Sequence, residues 1–328
     1  MNRTACLHLT SWIATALLAW SFGCSAGGEG SEHPDPTSSN TGGGSIFEDG
    51  GIGANPFDGG NVGGGTGDGC SDASKYVYVV DQNRSFYRFD PTIANPSAFQ
   101  LVGTLGCSVG EEPQSMSVSR DGYAYVLYGR AAPLQPGGFL CQALNQVELE
   151  TANCLAPTPF ACGSAGFGKF GMGYATNGSG TTDETLYLGS SLDTNFGTLD
   201  VASGVAQSTG SLPIQGPEFT GNANGELWGF FPYETPPQVK QIDKATGGQL
   251  QSIPLTSLPN VQGGLMAAWA FAYWGGSFYI FYMVDPPNSS TQVYKLEYDG
   301  SVVNYIPDTG LVVVGAGVST CAPIAPPR

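Results

Sequence analysis

Glu112, Asp183, Glu184 and Glu218, with Lys169 and Trp269 in register, are the residues of this chain whose types could do chemistry together. Two carboxyls held about 5–9.5 Å apart can cleave a glycosidic bond, one as acid and the other as base or nucleophile. The two histidines, His8 and His33, both precede residue 70. Without imidazole, residues 70–328 cannot build a Ser-His-Asp or Cys-His catalytic arrangement, and they lack the commonest transition-metal ligand. Gly163-Ser-Ala-Gly-Phe-Gly-Lys169 is not followed by Ser or Thr and so is not a phosphate loop. There is no Asp-x-Asp-x-Asp-Gly run of the calcium-loop type. Neither a metal nor another cofactor is expected.

The elements that must position these residues are short strands in a repeat. Gly122-Tyr-Ala-Tyr-Val-Leu-Tyr128, Gly225-Glu-Leu-Trp-Gly-Phe-Phe231 and Gly276-Ser-Phe-Tyr-Ile-Phe-Tyr282 align, with looser copies at Tyr76–Val80 and Thr185–Gly189. Each is followed by an apolar residue and an acid: Phe89-Asp90, Leu149-Glu150, Leu199-Asp200, Ile242-Asp243 and Leu296-Glu297. Period-two alternation bounded by Gly, Ser and Thr is the strand-and-turn pattern. A preceding strand is expected at 115–118, 170–174, 218–221 and 268–272, joined to the next by hairpin signals such as Arg120-Asp-Gly122.

Four strands in about 50 residues, repeated five times, predict an all-β fold, a five-bladed β-propeller over 70–328. The first unit lacks its innermost strand, and Val312–Ser319 is the spare that would close the ring and protect its edges. The repeated aromatics Tyr78, Tyr125, Tyr187, Trp228 and Tyr279 are expected in the blade core. Trp269 and Trp274 fall out of phase and are candidates for a sugar- or peptide-binding surface. The five repeated acids are expected to cap turns rather than bind calcium. Asp243-Lys-Ala-Thr-Gly247 with Glu226-Leu-Trp228 resembles the repeat of bacterial extracellular propeller proteins. In five-bladed glycosidase propellers the funnel is lined by the start of each innermost strand, which places Glu112, Lys169, Glu218 and Trp269 there by resemblance. None of the local glycosidase motifs accompanies them.

The N-terminus adds location. Arg3 precedes the mostly apolar run 9–22, so residues 1–23 read as a signal peptide, too short to span a bilayer comfortably. Ser21-Phe22-Gly23-Cys24 resembles the lipobox of bacterial lipoproteins, which implies acylation of Cys24 and, with Ser25 next, the outer membrane or cell surface. Residues 24–69 hold 16 Gly and seven acids with no Lys or Arg, the composition of a disordered tether. Cys70, Cys107, Cys141, Cys154, Cys162 and Cys321 then form an even set in an exported domain. The expected disulfides are Cys70–Cys321, flanking the closure, then Cys107–Cys162 and Cys141–Cys154.

Residues 70–328 carry ten basic and 20 acidic side chains. That balance argues against nucleic acid as a partner, since a basic face is required, so no nucleic acid is expected. The membrane, through the lipid anchor, and an unknown protein or glycan are the expected partners. The chain therefore reads as a lipid-anchored binding module more than an enzyme, with a carbohydrate-active hydrolase or a purely structural envelope protein as alternatives.

Overall fold

The computed structural model describes residues 69–326 apart from 136–137, 262–265 and 285–287; the expected signal peptide, Cys24 and tether lie outside the described residues. Twenty strands form five four-stranded antiparallel sheets. The first sheet holds β1 (Val77–Asp81), β2 (Ser85–Phe89) and β3 (Phe99–Thr104). The second holds β4 (Glu112–Val118), β5 (Tyr123–Ala131), β6 (Phe139–Glu148) and β7 (Cys154–Pro157). The third holds β8 (Phe170–Thr176), β9 (Glu184–Ser190), β10 (Asn195–Asp200) and β11 (Val205–Ser211). The fourth holds β12 (Glu218–Gly221), β13 (Leu227–Phe231), β14 (Gln238–Ile242) and β15 (Gln249–Pro254). The fifth holds β16 (Met266–Trp274), β17 (Ser277–Val284), β18 (Gln292–Leu296) and β19 (Val302–Ile306).

The last strand, β20 (Val313–Gly317), pairs antiparallel with β1, Val79 opposite Ala316, and supplies the innermost strand of the first sheet. The innermost strands touch in a circle: β20 meets β4, β4 meets β8, β8 meets β12, β12 meets β16, and β16 returns to β20. This is the five-bladed propeller closed by its C-terminal strand.

Each blade interface holds one buried apolar cluster among the described residues. The repeated aromatics are in them: Tyr78 stacks on Phe86, Tyr187 on Phe196, and Trp228 meets Phe278 of the next blade. All five are buried, because their strands are covered on both faces by neighbouring blades. Trp274 is half-buried. Its Nε1 donates to the Lys75 carbonyl at 3.1 Å and its ring packs on the cluster between the fifth and first blades.

Innermost strands lie so close that some positions admit no side chain. A Cβ on Gly171 of β8 would run into the Pro217 carbonyl before β12, and one on Gly221 of β12 into the Tyr174 carbonyl of β8. Side-chain bonds then stitch the strands: Ser117 Oγ accepts from the Tyr174 amide at 3.1 Å, and Thr220 Oγ1 from the Tyr273 amide at 3.0 Å.

The repeated acids cap turns at Asp90, Asp200 and Asp243, each accepting a backbone N–H two residues on at 2.8–2.9 Å. These bonds hold the Asp200 and Asp243 carboxyls below the usual range, with the Ser203 hydroxyl the main cause at Asp200 and the Ala245 amide at Asp243. Glu297 instead pairs with Lys295 at 2.8 Å and accepts from Ser277. Glu150 lines a groove between the first two blades.

Three disulfides are present, as fits an oxidising compartment. Cys70–Cys321 is as expected. The other two correct the sequence reading: Cys107 bonds Cys154, and Cys141 bonds Cys162. The reason is the length of β6. Cys154 stands across from Val147, while Cys141 lies six residues back along the same strand, roughly 20 Å at about 3.3 Å per residue. A disulfide needs Cα atoms within about 7 Å, so the expected Cys141–Cys154 bridge is excluded and Cys107–Cys162 goes with it. No helix among the described residues is long and apolar enough to cross a membrane.

Candidate functional site

Antiparallel blades put the starts of the innermost strands on one face, together with the loop after each second strand. On that face a cavity of about 80 Å³ is lined by Gln114, Lys169, Phe170, Ser191, Glu218, Ala268, Trp269 and Val314. Every blade contributes. Lys169, Glu218 and Trp269 line it together.

Glu112 is not among them. It is exposed and pairs with Gly129 at the outer end of β4. The ladder slips between Pro113 and Ser115; this bulge inserts a residue and re-aims the chain, so Gln114 takes the funnel position instead. Asp183 and Glu184 are at the opposite end of the ring. Glu184 begins β9, a second strand, with Asp183 just before it, and such strands start where the innermost ones finish. Glu184 Oε1 accepts from the Arg120 amide at 2.8 Å and Oε2 from Thr320 Oγ1 at 2.8 Å, joining the second and third blades to the C-terminal segment. Glu218 is therefore the lone carboxyl among the described residues lining the funnel cavity.

Glu218 is buried, and Ser115 Oγ donates to its Oε2 at 2.9 Å. Ser115 belongs to the second blade and Glu218 to the fourth, so this bond skips the third blade and spans the ring opening. Burial pushes the Glu218 carboxyl well above the ordinary range, against the opposing pull of Ser115, the Met172 amide and the charge of Lys169. Desolvation likewise lowers the Lys169 ammonium, partly offset by Glu218. The two do not approach within ion-pair distance among the described residues. Lys169 Nζ lies 5.3 Å from the centre of the Phe139 ring. The Trp269 ring meets Tyr233 edge-on, centroids 5.6 Å apart, and Tyr233 packs across Gly216, whose φ of +76° and lack of Cβ leave room for it. Trp269 Nε1 is buried with no acceptor among the described residues.

Gln114, Ser191 and Tyr233 were missed in the sequence. The Pro113 bulge is the one local sign of Gln114. Ser191 and Tyr233 sit in loops after β9 and β13, where nothing in the repeat marks them. Among the described residues no group of three or more His, Cys, Asp or Glu side chains could hold a metal.

Two-carboxylate hydrolysis needs a second acid beside Glu218, and none of the other described residues lining the cavity is one; Glu218 itself is engaged across the ring by Ser115.

No protein-family model matches this sequence, and no curated protein matches it. Solved structures do. A chain from a crystal structure of a nidogen/laminin complex shares 10% identity, with 74% of this chain and 97% of that one covered at a TM-score of 0.44. A Bacteroides caccae protein of unknown function shares 13%, with the same coverage and TM-score. A Xanthomonas campestris gluconolactonase shares 15%, covering 62% of this chain and 68% of its own at 0.37. The propeller assignment rests on the strand order and ring closure above, and that fold is consistent with a binding or interaction module.

The opposite face yields a pH prediction. Burial raises Glu184 from 4.5 to about 7. A raised folded-state pKa gives stability that is fully present below 4.5 and lost as pH rises through about 7, because only the unfolded chain ionises freely in between. The loss reaches about 3 kcal/mol by about pH 8, at 1.36 kcal/mol per unit. Denaturant titrations across that range should show the wild type falling more than Glu184→Gln; parallel curves would refute it.

Proposed function

We propose that this chain is an exported, lipid-anchored propeller that binds glycan at its funnel face, without hydrolysing it. The observation that supports this is the aromatic pair Trp269 and Tyr233 beside a cavity whose other polar groups are Lys169, Gln114, Ser191 and one engaged carboxyl. Aromatic rings offer an apolar face, and a few placed polar groups fix orientation. The expected acylation of Cys24 and the Gly-rich stretch after it would hold such a module at the outer membrane or cell surface.

The test is a panel of glycans against the full-length protein by isothermal titration. At least one should bind, and Tyr233→Ala should weaken it about tenfold or more, with no release of reducing ends. Release of reducing sugar that Glu218→Gln abolishes would favour the hydrolase. Binding to none would leave a structural envelope protein or a protein partner. Exposed Val109 and Leu134 stand on the same face and suit the latter. Intact mass after bacterial expression, compared with Cys24→Ser, checks the anchor.

A further inference from the structure

Two residues lining the funnel cavity, Trp269 and Lys169, carry N–H donors with no acceptor among the described residues. Trp269 Nε1–H is buried and makes no hydrogen bond to any described residue. A buried donor without a partner costs about 1–3 kcal/mol, and native proteins hold few such groups. Lys169 lines the same cavity, with three ammonium protons and no carboxylate within ion-pair distance among the described residues. Its one ring contact, to Phe139, leaves those protons available. The Gln114 amide adds two more. The one acid among the described lining residues, Glu218, already accepts from Ser115, and burial disfavours its charged form, which lessens its repulsion toward an anion.

We propose that the cavity receives the carboxylate of an acidic sugar, a uronic acid, held by Lys169 Nζ and Trp269 Nε1, with the sugar ring in the mouth against Tyr233. The inference rests on the glycan reading and names its ligand class. The cavity is small, about 80 Å³; it takes the carboxylate, with the sugar ring in the mouth beside Trp269 and the Tyr233 ring packed against it. A carboxylate supplies two oxygens and takes charge-assisted bonds from both donors. The aromatic wall favours a sugar over an acidic peptide. The net charge of residues 70–328 is negative and opposes any anion at long range. Recognition is therefore by short-range contact with buried donors, which salt screens little.

The experiment is isothermal titration of the full-length protein with D-glucuronate, D-glucose and N-acetyl-aspartate amide. Glucuronate should bind at least ten times more tightly than either of the others. Trp269→Phe keeps the ring and deletes the N–H; it should weaken glucuronate about tenfold, the scale of a lost bond to a charged group, and leave glucose unchanged. Lys169→Met should weaken it further. Equal binding of glucose and glucuronate, indifference to Trp269→Phe, or preference for the aspartate derivative would each overturn the inference. Should Lys169→Met fail to fold, the three-ligand comparison and Trp269→Phe still decide. Neutral glycans that bind with no preference for acid defeat this inference and leave the glycan module standing; no sugar bound at all defeats both.

Discussion

Replacing both Cys70 and Cys321 by serine is expected to cost roughly 5 kcal/mol of stability in the chain-entropy account of cross-links. The two cysteines are 251 residues apart in sequence, so their bond restricts nearly the whole unfolded domain. They also stand at the seam. The ring is closed there by β20 pairing with β1, and the segment beyond β20 is held by small contacts: Ser319 Oγ donates to the Ser74 carbonyl at 2.8 Å, and Arg120 reaches Thr320 at 3.0 Å and Cys70 Sγ at 3.3 Å. The double variant should unfold at much lower denaturant, and β20 should lose amide-exchange protection before the other innermost strands. Cys141 and Cys162 close a loop of 21 residues, and removing that pair should cost less, about 3 kcal/mol by the same account. Equal losses from the two double variants would show that loop size is not what matters here.

The second large effect comes from a residue with no side chain. Gly171→Val should destabilise the domain by about 3 kcal/mol or more, at or above the upper end of ordinary overpacking. The obstacle is the Pro217 backbone carbonyl, not a side chain that could swing aside. Relief would require β8 and β12 to separate, and in a closed ring that shifts every other innermost strand. Gly106→Ala is the matched control. It has nothing within 4 Å of the new Cβ and no positive φ, so its effect should stay within about 0.5 kcal/mol. Thermal unfolding of the two variants separates close approach from mere loss of glycine. Comparable shifts would show that ring contact is not the cause.

Much of the fold was legible. The second strands carry an aromatic every blade, because each is buried on both sides and must fill the gap to its neighbour. The turns after Asp200 and Asp243 carry their own chemistry, a side-chain oxygen poised over the next amides. The outer strand of the second blade, Cys154–Pro157, had no such mark. It is four residues long and largely exposed, so no apolar alternation records it. Missing that strand led directly to the wrong pairing of Cys154.

The candidate site was half legible. Lys169, Glu218 and Trp269 followed from the resemblance to five-bladed propellers, in which the starts of the innermost strands line the funnel. Glu112 did not follow: the ladder slips between Pro113 and Ser115, and Gln114, the residue left out of it, lines the cavity instead. Asp183 and Glu184 were grouped with the candidate acids, yet Glu184 opens a strand running the other way, which puts both at the far face.

The sequence by itself determined the class of the molecule: strand period, turn residues and repeat length are local properties, and a fivefold repeat with a spare terminal strand has few ways to bury its edges. It also excluded imidazole chemistry from the folded part, as composition alone can. Only the tertiary structure decided which cysteines meet, which glycines stand where no Cβ fits, and which donors face the funnel without acceptors. Those are relations between residues far apart in sequence, set by ring diameter and strand register, and no local pattern records them.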